Sequence, residues 1–217
     1  MKIFLDTADV AAIRRASATG LLDGVTTNPS HVAKAGRVFE DVIQEICTAV
    51  PDHVSVEAVA DTTEGLVAEA RRLAAFGKQI VIKLPMTPEG LCAVPVLERE
   101  HHIRTNVTMV FSPTQAVLAM KTGASFVSIV LSRLEAAAIE SDRLIDDTLA
   151  FKRQYGFTSK IIAGSVKTQP TLLNCLRAGV DIATIPEDLF KIMWQHPLTE
   201  MGLAQFNRDW AQVKKRQ

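Results

Sequence analysis

Aromatic residues are scarce in this chain: 6% of its 217 positions, with a single tyrosine. The apolar content comes instead from Ala, Val, Leu and Ile, the composition of layered proteins built from helices and strands. Charge of one sign is also lacking. Lys and Arg together number 24 and Asp and Glu 24, so the formal net charge is zero. That balance supplies no electrostatic footprint for nucleic acid or for an anionic membrane surface. No apolar run reaches membrane-spanning length, and a strand-like run begins at Lys2, leaving no room for a signal peptide. Cys47, Cys92 and Cys175 lie far apart in no metal or redox spacing, which points to reduced thiols and a cytoplasmic location. No linker or low-complexity tract divides the chain, so residues 1–217 are expected to form a single domain.

What is present is a regular alternation. The strand candidates are KIFLDT, GVTTN, HVSVEAV, QIVIKLP, RTNVTMVF, FVSIVLS, KIIAGS and IATIP, each followed by an amphipathic stretch. Several of those stretches end in glycine, at Gly20, Gly77, Gly123, Gly156 and Gly179, as left-handed helix caps do. Eight strand–helix units predict an α/β protein, a closed parallel (β/α)8 TIM barrel. The competing open doubly wound sheet would need a glycine-rich phosphate loop after its first strand, where LDTADV stands instead. An extra C-terminal helix is expected over about residues 199–215, with Leu203, Phe206 and Trp210 at helical spacing. Its stripe either packs on the outside of its own barrel or docks on a neighbouring subunit.

A barrel of this kind gathers its chemistry at the C-terminal ends of the strands. Asp6, Asn28, Glu57, Lys83, Asn106, Thr108, Ser128 and Ser165 all fall there. With inward faces set by strand alternation, the upper layer of the barrel is polar and the lower layers apolar. Each residue also has a plainer reading. Asp6 could cap a helix starting at Ala8, and TTNPS could be a turn and cap. Lys83, set among the apolar residues of QIVIKLP, could form a structural ion pair with Asp6 or Glu57. Arg133 after the sixth strand, and Ser165 and Lys167 after the seventh, suit an anion; ordinary loop basicity is the alternative.

A lysine in an apolar pocket loses stabilisation of its charged form, and its neutral amine can attack a carbonyl to give a Schiff base. Carboxylates from other strands would carry the proton transfers. Metal chemistry has no support, since His31, His53, His101, His102 and His196 show no ligand spacing and none is expected at a strand end. A barrel using Lys83 and Asp6 as an ordinary acid–base pair, for isomerisation or decarboxylation, is a different enzyme class. A barrel that has lost catalysis and serves as a binding module is a third reading, opposed by the intact Asp6, Glu57 and Lys83.

The ordered stretches FLDTAD, GVTTNPS, VSVE, IVIKLPMTPEGL, TNVTMVFSPTQA and AGSVKT resemble the small transaldolases and the related fructose-6-phosphate aldolases over nearly the whole chain. The resemblance implies a barrel that forms imines with ketoses, and no cofactor or metal is expected. By motif, Lys83 would be the Schiff-base lysine, Asp6 would take the proton of the C4 hydroxyl, and Glu57 and Thr108 would hold a proton-shuttling water. Asn28, Asn106 and Ser128 would bind the dihydroxyacetone unit, and Arg133, Ser165 and Lys167 the distal phosphate. The implied partners are small anionic sugars and a ring-like homo-oligomer, a pentamer or decamer. Glu57 resembles the transaldolase pattern, whereas the aldolases resemble one another in a glutamine there and a tyrosine on the sixth strand, where Val130 stands. SIVLSR departs from both, with Ser132 in place of a glycine beside Arg133. That change bears on the distal group, phosphate or another anion such as a sulfonate.

Overall fold

The structure is a computed structural model that describes residues 1–214, the side chains of residues 33–35 excepted. Eight parallel strands close into one barrel in chain order, with β8 pairing back to β1. They are β1 (Lys2–Asp6), β2 (Gly24–Thr26), β3 (Val54–Glu57), β4 (Ile80–Pro85), β5 (Thr105–Val110), β6 (Phe126–Val130), β7 (Lys160–Gly164) and β8 (Ile182–Ile185). All eight fall inside the stretches expected from β-branched content. The helices between them are α1 (Val10–Ser17), α2 (Pro29–Ala35), α3 (Phe39–Ala49), α4 (Thr63–Ala74), α5 (Pro88–Pro95), α6 (Pro113–Lys121), α7 (Leu131–Ala136), α8 (Asp142–Tyr155), α9 (Gln169–Ala178), α10 (Glu187–Ile192) and α11 (Pro197–Lys214).

Local chemistry sets the helix starts. Thr62, Thr87, Ser112 and Thr168 each accept a backbone N–H from three residues on, and Pro88 and Pro113 occupy the first helical position, where a missing N–H costs nothing. The cap of α1 is Asp9, which accepts from the N–H groups of Ala11 and Ala12. Asp6 is therefore not a helix cap. Pro95 cannot donate to the helical ladder, and α5 passes there into a π-helical turn at Val96–Glu100, closed by the His101 N–H on the Val96 carbonyl at 3.3 Å. Gly20, Gly123, Gly156 and Gly179 have φ between 72° and 88° or close to it at 67°, but Gly77 does not share this left-handed conformation. Gly90 answers a different need: a Cβ there would lie 2.1 Å from the Pro85 carbonyl oxygen, so only glycine lets α5 start directly over the end of β4.

Between strands and helices lies one continuous apolar layer containing Ile13, Ile43, Ile46, Leu66, Leu73 and Leu97, all without exposed surface. Leu66, Ala70 and Leu73 place the buried face of α4 at helical spacing against this layer. Each such aliphatic side chain contributes roughly 1.5–3 kcal/mol by leaving water. Inside the barrel the lower layer is not wholly apolar. His53 sits near its floor between Phe4 and Phe126, with ring centroids 4.5 and 4.6 Å away.

Three short helices, α2, α7 and α10, stand where the sequence pattern predicts none. GVTTNPS contains the start of α2, and α7 begins at the residue following β6, so Arg133 lies on a helix rather than in a loop. The stripe of α11 does not pack on its own barrel. None of its described residues is buried, and Leu203, Phe206 and Trp210 are all exposed. The last residue of the expected span, 215, lies outside the described residues.

Candidate active site

Strand register brings the polar residues together. Asp6 pairs with Thr26, Glu57 with Lys83, and Lys83 with Asn106, while Thr108 stands level with Pro85. Because the strands are parallel, these positions share one end of the barrel, where a cavity of about 370 Å³ opens. Asp6, Glu57, Lys83, Thr108, Ser128 and Arg133 are on its wall, as are Asn28 and Ser165.

Lys83 is 8% exposed. Its ammonium donates to the Thr27 carbonyl at 2.9 Å and to Glu57 Oε2 at 3.0 Å. Of the two ion pairs open to it from the sequence, the structure makes the one with Glu57. A buried charge requires such partners. The same pair also gives the amine an immediate proton acceptor, the first requirement of a nucleophilic lysine.

Asp6 is held on both oxygens. Thr26 Oγ1 donates to Oδ1 at 3.1 Å and Ser165 Oγ to Oδ2 at 3.0 Å. Two basic groups stand farther off, His31 Nδ1 at 3.8 Å from Oδ1 and Lys167 Nζ at 3.8 Å from Oδ2. Ser165 reaches Asp6 from a left-handed backbone, φ 55°, an arrangement that costs about 1–3 kcal/mol for a non-glycine residue. Ser165 and Lys167, expected at a distal anion, thus both face Asp6. Arg133 projects from α7 at the cavity edge and is exposed.

Asn106 lies below the cavity wall, without exposed surface. Its carboxamide oxygen accepts from Ser128 Oγ at 2.8 Å and its nitrogen donates to Ser55 Oγ at 3.4 Å. It orients Ser128 instead of meeting the cavity itself. Asn28 precedes α2 and its Oδ1 accepts the His31 N–H at 2.9 Å, so the capping reading of TTNPS holds for this residue alongside its place on the wall. Thr108 precedes Met109, whose φ of 63° marks the irregularity where the β5–β6 register shifts.

His31 joins the site without a sequence expectation behind it. No histidine was expected at a strand end, yet α2 starts so close to β2 that its third residue turns onto the cavity wall. The pattern N-P-x-x directly after a strand was the available signal, since Pro at a first helical position announces a helix.

A larger cleft of about 510 Å³ lies outside the barrel, lined by Asp9, Arg14, Arg37 and Glu45. Its charges are spent on one another: Glu45 pairs with both Arg14 and Arg37, and Asp9 caps α1. Their mutual attraction holds the Glu45 carboxyl low and the Arg37 guanidinium high. The barrel mouth, with its lysine and two carboxylates, is the candidate active site. Cys47 and Cys175 play no part; burial pushes their thiols up to about 11 and about 12. Among the described residues, no group of three His, Cys, Asp or Glu is placed to hold a metal ion, and no helix is long and apolar enough to cross a membrane.

The family described as Transaldolase/Fructose-6-phosphate aldolase matches residues 3–217. The chain belongs to this family. Its enzyme relatives include a probable transaldolase of Geobacter sulfurreducens, 49% identical over 215 residues, 99% of this chain and 100% of that protein. A probable transaldolase of Aquifex aeolicus is 46% identical over 216 residues, 100% of this chain and 99% of that one. A putative phosphonomutase from Burkholderia cenocepacia J2315 superposes with a TM-score of 0.61 over 99% of this chain and 92% of that one. At 14% identity it shares the barrel fold alone. The transaldolase/fructose-6-phosphate aldolase family is one of enzymes, and the (β/α)8 barrel with its added C-terminal helix is the fold of this member.

Proposed function

We propose that this protein is a transaldolase that moves a dihydroxyacetone unit from an anionic ketose to an aldose through a Schiff base on Lys83. The observation that carries the reading is the Lys83–Glu57 pair at 3.0 Å in a cavity that also holds Asp6. Glu57 accepts a proton from the Lys83 ammonium, and the freed amine adds to the C2 carbonyl of the ketose. The carbinolamine loses water, with the proton supplied through Glu57 and a water held by Thr108, and leaves a protonated imine. Asp6 then removes the C4 hydroxyl proton while the C3–C4 bond breaks. Its electron pair moves to the imine nitrogen, an aldehyde leaves, and an enamine remains. Attack of the enamine on an acceptor aldehyde, followed by hydrolysis, returns Lys83. Ser128, set by Asn106, and Asn28 hold the hydroxyls of the three-carbon unit.

Arg133 serves the distal anion, with Lys167 and Ser165 nearer to Asp6. Phosphate is one candidate for that anion and a sulfonate the second, left open by Ser132 beside Arg133. Val130, where the aldolases resemble one another in a tyrosine, favours transfer over release of free dihydroxyacetone. The uncovered apolar stripe of α11 supports a homo-oligomer in which this helix docks on a neighbouring copy. We place this chemistry in the cytoplasm and, for a phosphorylated ketose, among the pentose phosphate reactions.

Borohydride reduction in the presence of fructose 6-phosphate or dihydroxyacetone should attach a three-carbon unit to Lys83, read by peptide mass. No mass gain at Lys83 with any ketose would end the Schiff-base reading. Product assay with and without erythrose 4-phosphate separates transfer from cleavage.

A further inference from the structure

We infer that His31 is a positioning residue for the carbon–carbon bond step, an inference that rests on the Schiff-base reading of Lys83. Its ring is on the cavity wall with side-chain exposure of 22%, and Nδ1 stands between two groups of the site. The Asn28 carboxamide nitrogen is 3.3 Å from Nδ1, and Asp6 Oδ1 is 3.8 Å from it. In the tautomer that carries its proton on Nε2, Nδ1 accepts from the Asn28 amide. The His31 backbone N–H closes the other half of that contact on Asn28 Oδ1 at 2.9 Å. Asn28 is thus gripped at both ends of its carboxamide by one residue, and cannot rotate without losing one bond.

The position matters because of what lies on either side. Asp6 reaches His31 from β1, and the site's other charges, Lys83 with Glu57, Lys167 and Arg133, surround the same mouth. His31 also lines the outer cleft with Arg14, Arg37 and Glu45. His31 is therefore the partition between the two cavities, next to the carboxylate that must meet the C4 hydroxyl and beside the carboxamide that meets the three-carbon unit. Lys83 and Glu57 do not touch it through any of these contacts. Removing the ring should misplace the bond-breaking side of the site and leave imine formation largely intact. A misplacement of this kind costs rate far more than it costs binding.

The substitutions separate the ring from the backbone. His31→Leu keeps the partition filled and keeps the backbone bond to Asn28, and removes both ring nitrogens, Nδ1 among them. His31→Asn restores a carboxamide oxygen close to where Nδ1 stands. With His31→Leu, kcat for transfer from a ketose to an aldose should fall at least about tenfold, the effect of losing the Nδ1 hydrogen bond to Asn28, with KM for the donor changed less than kcat. Borohydride trapping at saturating dihydroxyacetone should lose much less than transfer does, because the Lys83–Glu57 pair is left in place. His31→Asn should recover most of the lost kcat. Melting temperatures of both variants check folding. Unchanged transfer by folded His31→Leu overturns the inference, as does trapping that falls in step with transfer, or a His31→Asn variant no better than His31→Leu. Wild-type protein that cannot be trapped at all overturns the Schiff-base reading itself, and this inference with it.

Discussion

The mouth and the floor of the barrel each bury a titratable side chain, and treat it in opposite ways. At the mouth, the Lys83 ammonium has the Glu57 carboxylate and the Thr27 carbonyl within 3.0 Å. At the floor, His53 is packed between the rings of Phe4 and Phe126, and its side chain's one hydrogen bond among the described residues is Nε2 to Ser55 Oγ at 2.7 Å. Burial, with Arg104 and Lys2 nearby, pushes His53 down to about 3 from its ordinary 6.5. The difference teaches that burial alone does not decide charge. A compensating partner keeps a charge in place, and an apolar cage with like charges around it keeps a group neutral. Ser55 joins the two regions, since it contacts His53 below and Asn106 above, and Asn106 holds Ser128 at the mouth.

The harshest way to break the comparison is to delete the charge at the mouth. Lys83→Ala should lower transfer by at least about a thousandfold and abolish borohydride labelling, because Lys83 is the amine held on Glu57 in the cavity while Lys167 stands at Asp6. Next comes its partner. Glu57→Gln keeps the shape and removes the proton acceptor, and should slow imine formation about a hundredfold, read as the rate of trapping with dihydroxyacetone.

The floor answers to pH. Between pH 6.5 and 3 the unfolded chain protonates His53 while the folded chain refuses the proton, so stability rises with pH across that window. The loss on going from pH 7 to pH 5 should be ~2 kcal/mol from this residue, measured by urea unfolding. His53→Gln, with no group to titrate, should flatten that slope; an unchanged slope would show that other groups carry it. The smallest effect lies at the link. Ser55→Ala should cost about 1 kcal/mol of stability for its lost hydrogen bonds, while Lys83 still labels. If labelling disappears with it, mouth and floor are one cooperative unit.

Much of this was legible along the chain. Strand positions could be read because each β-branched run is buried on both faces and punctuated by helix caps such as Thr62 and Ser112. Lys83 could be singled out because an ammonium in QIVIKLP is improbable on packing grounds, and Asp6, Glu57 and Thr108 because they end strands. His31 could not be read, because it reaches the mouth only through a seven-residue helix that starts at Pro29. Asn106 looked like a wall residue because alternation gives the face but not the depth, and it proves to sit one layer down, under Ser128. The loop of Ser165 and Lys167 can be placed from sequence, but their turn toward Asp6 cannot, because it depends on a left-handed backbone at Ser165.

By itself, then, the order of residues determined the number of strands, their inward polar ends and the family, since these depend on local pattern and on side-chain chemistry. Only the closed barrel decided which carboxylate Lys83 meets, that His31 faces Asp6, and that His53 stays neutral. Those are questions of distance between segments remote in sequence. Coulombic attraction and desolvation depend on that distance and on the surrounding medium, which the chain acquires only when β8 closes on β1.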